Sequence, residues 1–293
     1  MTPELLTQLD INEKFWWAAT IKDFRRRLIT EPKLYANDIL ANSWSNDQDM
    51  LDNLDTVIKD AREKIWQLYL LDEAKFHAAV LAHLFTERDL PRSILTDITD
   101  HNMIRAIEDK DAFIDEIGKL MGDYAGRVMP YIYELALSTT QSRRSRAGKT
   151  FEQLIESLLE HFGIEFDNQG SVSSGVFSAA GLGKKVDAIV PSIESYTSNR
   201  SKCAVVTMKT TLRERCKEVA EELSRTNVPH IYLLTADESI TENVINTMKN
   251  YNIALVVYSG EKQSKFSLHE NVYSFYDFFT KEMNFIMQYW SKG

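Results

Sequence analysis

The sequence predicts an α/β protein: a mixed sheet flanked by helices, entered from a helical N-terminal region. Three observations carry that expectation. Leu54, Val57, Ile58, Ala61, Ile65, Leu68 and Tyr69 recur at helical spacing and lay one apolar stripe along the first half of the chain. Further on, the runs 203–208, 231–234 and 253–257 are short and largely apolar, as strands buried on both faces are. Amphipathic segments alternate with these runs, and such alternation builds a sheet covered by helices.

Taken in order, residues 1–136 read as mostly helical. The stripe over 54–71 is followed by another over 76–85, which Pro91 breaks because proline lacks the amide donor a helix needs. Residues 150–162 predict an amphipathic helix with Phe151, Leu154, Ile155, Leu158, Leu159 and Phe162 on one face, stopped by Gly163. A turn-rich stretch covers 168–183. Strands are expected over 186–191, 203–209, 230–235 and 253–258, with helices over 212–223 and near 240–250.

Composition narrows the function classes. The 293 residues include only 11 Gly and 6 Pro, which excludes a collagenous or low-complexity chain. No apolar run reaches the ~18 to 20 residues of a membrane span, so no membrane association is expected. The first residues show no basic segment leading into an apolar one, so a secretory leader is not expected. Two cysteines, Cys203 and Cys216, are too few for a disulfide framework or a cysteine zinc site, and the expected location is the reducing cytoplasm. The net charge of −9 argues against general affinity for polyanions. Residues 1–140 carry all of it, however, and residues 141–293 are balanced, with basic residues clustered locally.

Asp187 stands in a predicted strand, where aspartate is disfavoured unless its carboxylate has a task or ends the strand. Lys209 closes the apolar run before it. If the two strands pair, carboxylate and ammonium meet at one sheet end, the minimum for hydrolysing a phosphodiester with a hard, oxygen-seeking cation such as Mg2+. Glu222 on the next helix and Glu152 on the preceding one are candidates to complete the metal ligands. Singly, each has an ordinary explanation: Glu222 beside Glu221 as a solvated helix residue, Glu152 as a first-turn acid, Lys209 as a snorkelling strand end. The segment after Lys209 sets the group apart. Thr210 or Thr211 is positioned to cap the next helix, and Arg213, Glu214 and Arg215 fill its first turn, where two arginines oppose the helix dipole. Arginine reads guanine O6 and N7, and glutamate accepts from cytosine N4. The alternative is a charged surface with internal ion pairs.

The run Lys209-Thr-Thr-Leu-Arg-Glu-Arg215, with Asp187 upstream and Glu222 downstream, resembles the CCGG family of Type II restriction endonucleases, in the PspGI and EcoRII catalytic-domain group that cuts CCNGG or CCWGG sites. The block Thr140-Gln-Ser-Arg-Arg-Ser-Arg-Ala-Gly-Lys-Thr-Phe-Glu152 agrees, and the likeness covers roughly residues 124–260. The resemblance implies a PD-(D/E)XK restriction-endonuclease-like core over 124–293 and a helical N-terminal region over 1–123 for dimerisation and DNA contacts. It implies Asp187, Lys209, Glu222 and Glu152 as catalytic residues, with Asp187, Glu222 and Glu152 on Mg2+. Thr207 occupies the place where such cores usually carry a carboxylate, and Glu222 replaces it. Arg213, Glu214 and Arg215 match the readers of two G·C pairs in each half-site, and Gln141 matches a minor-groove contact. The basic residues Arg143, Arg144 and Arg146, with Lys149, suit phosphate contacts. The family implies a homodimer on double-stranded DNA, each subunit cutting one strand, and a cognate methyltransferase in the same system.

Two departures stand out. Cys216 replaces the tryptophan usual after the triplet, and the first 120 residues show no match. Trp16, Trp17, Trp44, Phe85 and Arg88 are the candidates there for holding extruded central bases. None of the six histidines has metal-ligand spacing, and the aromatic residues over 273–290 read as packing with a contribution to a dimer contact. Competing readings are a repair or modification-dependent nuclease on the same core, and a non-catalytic DNA-binding protein. The presence of Asp187, Lys209, Glu222 and Glu152 together argues against the last.

Overall fold

The structure, a computed structural model, describes residues 8–43, 46–88, 96, 109–182, 186–212, 216–224 and 230–291; of 174, 216, 218, 222 and 224 it describes the backbone alone. Five helices among the described residues precede the sheet: α1 (Ile11–Leu28), α2 (Pro32–Ser43), α3 (Asp47–Asp52), α4 (Leu54–Glu87) and α5 (Lys110–His161). The chain divides into two compact units, one of residues 1–31 and 67–145, the other of 32–66 and 146–293. Among the described residues no helix is long and apolar enough to cross a membrane.

The first unit is helical. Helix α1 starts where the Asp10 carboxylate accepts the backbone N–H groups of Asn12 and Glu13 at 2.8 and 3.0 Å, supplying partners that a helix start otherwise lacks. Its inward face joins Phe76, Val80, Leu84, Tyr131 and Leu135 through Trp17 and Ile21. The Trp17 indole N–H donates to the Tyr131 carbonyl at 2.9 Å, and the two rings meet edge to face. With 1% of its surface exposed, Trp17 is a core residue rather than a platform for an extruded base. Trp16 is covered by the Arg88 guanidinium at 3.6 Å, while Arg88 pairs with Glu13 at 2.6 Å. Phe85 stacks on Tyr124. Trp44 lies outside the described residues.

Glu73 is 3% exposed in this unit, and an unpaired carboxylate there would be costly. Arg143 meets it with a fork of hydrogen bonds, Nε standing 3.0 Å from each carboxylate oxygen and a terminal nitrogen reaching Oε2. The Tyr69 hydroxyl donates to Oε1 at 2.5 Å. Burial opposes ionisation of Glu73, but these donors hold its carboxyl below the ordinary value.

Helix α5 corrects one expectation. The helix predicted to begin at 150 is the last part of an unbroken one that starts at Lys110. Residues 134–149 are dominated by good helix formers, and the single Gly148 is too weak a break to end the run. Arg143, Arg144 and Arg146 therefore lie on a helix rather than a turn, and Glu152 is not a first-turn acid. The helix ends as the sequence predicts. Gly163 adopts φ 66°, its N–H bonds the Glu160 carbonyl at 3.1 Å, and Ile164 N–H bonds the Leu159 carbonyl at 2.9 Å, the paired bonds of a Schellman stop.

The second unit holds the sheet. In chain order come β1 (Asp167–Asn168), α6 (Ser174–Ala179), β2 (Ala188–Val190), α7 (Ile193–Ser198), β3 (Ala204–Lys209), α8 (Cys216–Ser224), β4 (His230–Thr235), α9 (Glu242–Asn250), β5 (Ile253–Val257), α10 (Ser259–Lys265) and β6 (Val272–Ser274). The described strands lie side by side in that same order. β1 with β2 and β2 with β3 pair antiparallel, and β3 to β6 run parallel. This is the mixed sheet flanked by helices that the sequence predicts. One side of it packs Val205, Leu233 and Leu255 against Val219, Leu223, Ile245 and Met248 from α8 and α9.

Some boundaries differ. The turn-rich stretch contains α6, and β1 and β6 are too short to leave a periodic signal. Leu212, expected to open a helix, is not helical, and α8 is described from Cys216. The C-terminal run is α-helical at Phe275–Asp277, π-helical at Phe278–Glu282 and α-helical again at Met283–Trp290. Its Phe275, Phe278 and Phe279 are core residues, while Phe285 and Tyr289 stay exposed.

The Glu73–Arg143 pair yields a contrast between neighbours. Arg143→Ala leaves a buried carboxylate unpaired and is expected to destabilise the protein by about 3 kcal/mol, read by urea unfolding. Arg144→Ala, on the exposed side of the same turn, is expected to leave the unfolding midpoint unchanged.

Candidate active site

Antiparallel pairing of β2 with β3 sets Ala188 opposite Val206 and Val190 opposite Ala204. Carrying that register one residue past the end of β2 brings Asp187 beside Thr207, and the Asp187 N–H donates to the Val206 carbonyl at 3.0 Å. The Asp187 carboxylate is then gripped by the end of β3. Its Oδ2 accepts the Thr207 hydroxyl at 3.0 Å, the Met208 N–H at 2.7 Å and the Lys209 ammonium at 2.8 Å. Lys209 Nζ also donates to the Met208 carbonyl at 2.9 Å. Hydrogen bonds to a charged acceptor are short and strong, so the carboxylate is fixed in orientation. Every bond it takes from described residues falls on Oδ2, which leaves Oδ1 available to a cation.

Thr207, at the position where the resemblance implies an acid, is fully buried. Its hydroxyl does not stand in as an anionic ligand; it orients Asp187. The missing negative charge must come from elsewhere, and helix α5 brings some. Burial, and next the charge of Asp187, push the Glu152 carboxyl above its ordinary value, with Lys209 and Lys149 acting in the opposite sense. Glu156, one turn further along the same helix face, is raised by burial too. A hydrogen bond with the Asn168 side chain and the charge of Lys33 counter that rise, and Glu160 and Asp187 add to it. Asn168 itself accepts the Gly170 and Ser171 N–H groups on its Oδ1, and β1 holds it opposite Ala188.

Two helix carboxyls whose pKa is raised by burial and by the charge of Asp187 are a donor set short of positive charge. Their hard oxygens suit a small divalent cation. The Oδ1 of Asp187, which takes no bond from the described residues, fits such an ion with Glu152 nearby, although among the described residues no three His, Cys, Asp or Glu side chains already form a metal cluster.

The remaining expected residues fall as follows. Glu222 is on α8, and its side chain lies outside the described residues. Arg213, Glu214 and Arg215 lie outside them as well. Gln141 and Arg144 are exposed on α5, and Arg146 is partly buried there. Arg143 is committed to Glu73. Three of the described histidines make side-chain contacts, His77 with Thr139, His161 with Asp47 and His269 with Glu242, and His83 packs against Trp16 and Phe24. Glu156 was not anticipated. Its signal was present as the second acid, four residues after Glu152, beside the apolar face of the helix.

The chain is similar to known restriction enzymes in sequence and in fold. The family model described as EcoRII C terminal matches residues 114–279. The Type II restriction enzyme SsoII of Shigella sonnei is 33% identical over 244 residues, covering 83% of this chain and 73% of that enzyme. Among solved structures, metal-depleted Ecl18kI in complex with uncleaved, modified DNA is similar with TM-score 0.71 and 29% identity, over 96% of this chain and 86% of that one. A PspGI–substrate DNA complex gives TM-score 0.56 at 18% identity, over 96% and 98% of the two chains, a likeness of fold.

The pressure on Glu152 has a measurable sign. A carboxyl whose pKa folding raises above 4.5 favours the folded state in acid and costs stability as pH climbs through the folded-state value. In metal-free buffer, Glu152→Gln is therefore expected to melt higher than the wild type above about pH 7, with the gap closing toward about pH 4. A gap independent of pH would show that the carboxylate is not under this pressure.

Proposed function

We propose that this chain, which belongs to the EcoRII C-terminal family and is a Type II restriction enzyme, cuts double-stranded DNA at a palindrome with a CC…GG core by Mg2+-dependent hydrolysis. The observation that carries the chemistry is the Asp187–Lys209 pair, a carboxylate and an ammonium 2.8 Å apart at the end of two paired strands. It is what a phosphodiesterase needs and what a passive DNA-binding protein has no reason to retain.

Asp187, Glu152 and Glu222 would hold the cation. Bound Mg2+ supplies a Lewis acid that polarises the scissile phosphate and lowers the pKa of water. Asp187 is oriented for this by Thr207 and Met208, whose bonds fall on Oδ2. Lys209, anchored on the other oxygen, presents a positive charge for the attacking water and for the negative charge that builds on phosphorus. Water oxygen bonds to phosphorus as the bond to the 3′ oxygen breaks in line, leaving a 5′-phosphate and a 3′-hydroxyl.

Recognition is assigned to Arg213, Glu214 and Arg215 on the C·G pairs, to Gln141 in the minor groove, and to Arg144 and Arg146 on phosphates. Arg143 is too deeply engaged with Glu73 to lead among these. A palindrome cut on both strands calls for two copies of the site, so the working form is a homodimer. Host DNA carrying the same sequence needs protection, so a cognate methyltransferase and a cytoplasmic location follow.

Digestion of DNA of known sequence with Mg2+, followed by mapping of the ends, tests the reading. A fixed CC…GG palindrome with 5′-phosphates is expected; scattered ends would favour a repair or modification-dependent nuclease. Asp187→Ala and Lys209→Ala are each expected to abolish cutting while specific binding survives in a gel-shift assay. Arg215→Ala is expected to lose about 1–3 kcal/mol of discrimination at one base pair, and unchanged specificity would remove it from the readout.

A further inference from the structure

We infer that Asp237, a residue outside the catalytic cluster, is a positioning residue that couples the reading of DNA to its cutting by fixing the backbone at Leu212. The inference rests on the reading of Arg213, Glu214 and Arg215 as base contacts, and it assigns the part that aligns them with Lys209.

Three residues, Thr210, Thr211 and Leu212, separate Lys209 from the triplet. The start of this spacer is fixed by the sheet, because Lys209 pairs with Thr235 in the parallel ladder of β3 and β4. Its end is fixed by Asp237, two residues beyond β4, whose Oδ2 accepts the Leu212 N–H at 2.9 Å. The other carboxylate oxygen accepts the Ser239 N–H at 2.9 Å and the Ser239 hydroxyl at 2.5 Å. The Asp237 N–H in turn donates to the hydroxyl of Thr235, which is fully buried. Both oxygens and the backbone of Asp237 are thus tied down, and the Leu212 side chain is buried in the same core as Val219 and Leu223 of α8.

One strand end therefore anchors both ends of the spacer. Thr235 stands beside Lys209, and Asp237 stands beside the residue that precedes Arg213. A displacement of the triplet on a wrong base pair has few soft bonds to absorb it before it reaches Lys209. With Asp237 removed, the spacer loses its far anchor, and catalysis no longer depends as tightly on what the triplet meets.

The test compares Asp237→Ala, Asp237→Asn and Ser239→Ala in the full chain, using the mapped site and sites altered at one C·G pair, with Mg2+. For Asp237→Ala, kcat/KM on the mapped site is expected to fall about tenfold, roughly 1.4 kcal/mol, while altered sites fall less, so discrimination narrows. Asp237→Asn keeps one acceptor and is expected to lie between; Ser239→Ala is expected to narrow discrimination least. Tm is recorded for each, and if Asp237→Ala fails to fold, the two milder variants decide. Equal loss on mapped and altered sites, in step with Tm, would reduce Asp237 to a purely structural residue and overturn the inference. Should the wild type not discriminate C·G pairs, or Arg215→Ala leave its discrimination intact, the base-reading assignment fails first, a result distinct from parallel loss in the Asp237 variants alone.

Discussion

The grip of the β3 end on the Asp187 carboxylate organises the site. An aspartate at a strand terminus has freedom about two side-chain bonds, and its charge is of little catalytic use until that freedom is removed. Here three donors from three consecutive residues converge on one oxygen. Two of them, a backbone N–H and a buried threonine hydroxyl, are fixed by the sheet itself. The third is the Lys209 ammonium, so the contact that orients the carboxylate also places the lysine. The antiparallel register of β2 and β3 is the condition for all of it: a shift by one residue would turn Asp187 to the opposite face.

The sheet's connectivity serves that end. Parallel strands β3 to β5 are buried on both faces, which gives β3 a stiff apolar stem with its polar work confined to the last residues. The short strand β2 runs antiparallel beside it, β1 runs antiparallel to β2, and together they bring Asn168 and Asp187 to the same end. Helix α5 then lays Glu152 and Glu156 alongside. Acids on a helix, set where burial and a neighbouring carboxylate both raise their pKa, sit in unfavourable surroundings that a divalent cation would relieve.

Much of this is legible in the amino-acid sequence, for identifiable reasons. Residues 203–209 read as a buried strand because six nearly apolar positions end abruptly in lysine, and the strand found is Ala204–Lys209. Asp187 reads as functional because nothing in strand chemistry favours it. The continuity of α5 is not legible in the same way, because Gly148 and Thr150 resemble a helix start and only the packing of the whole element overrides them. Arg143 reads as a phosphate contact because Glu73 is seventy residues away, a distance that periodicity does not bridge. Thr207 reads as an absent acid, and only coordinates reveal it as a donor. Asp237 has no sequence signal at all, because its partner is a backbone N–H, which every residue but proline carries.

The residues proposed for catalysis come from a helix, a strand end and the strand that pairs with it, spread from Glu152 to Lys209, with Glu222 further on. During synthesis on the ribosome, a chain stopped before Lys209 holds Glu152 and Asp187 but neither the amine nor Glu222, and lacks the end of the strand that orients Asp187. No proteolytic fragment on either side of the β2–β3 connection keeps both halves of the pair. The pairing of Asp187 with Lys209 therefore exists only once β3 is complete and laid against β2.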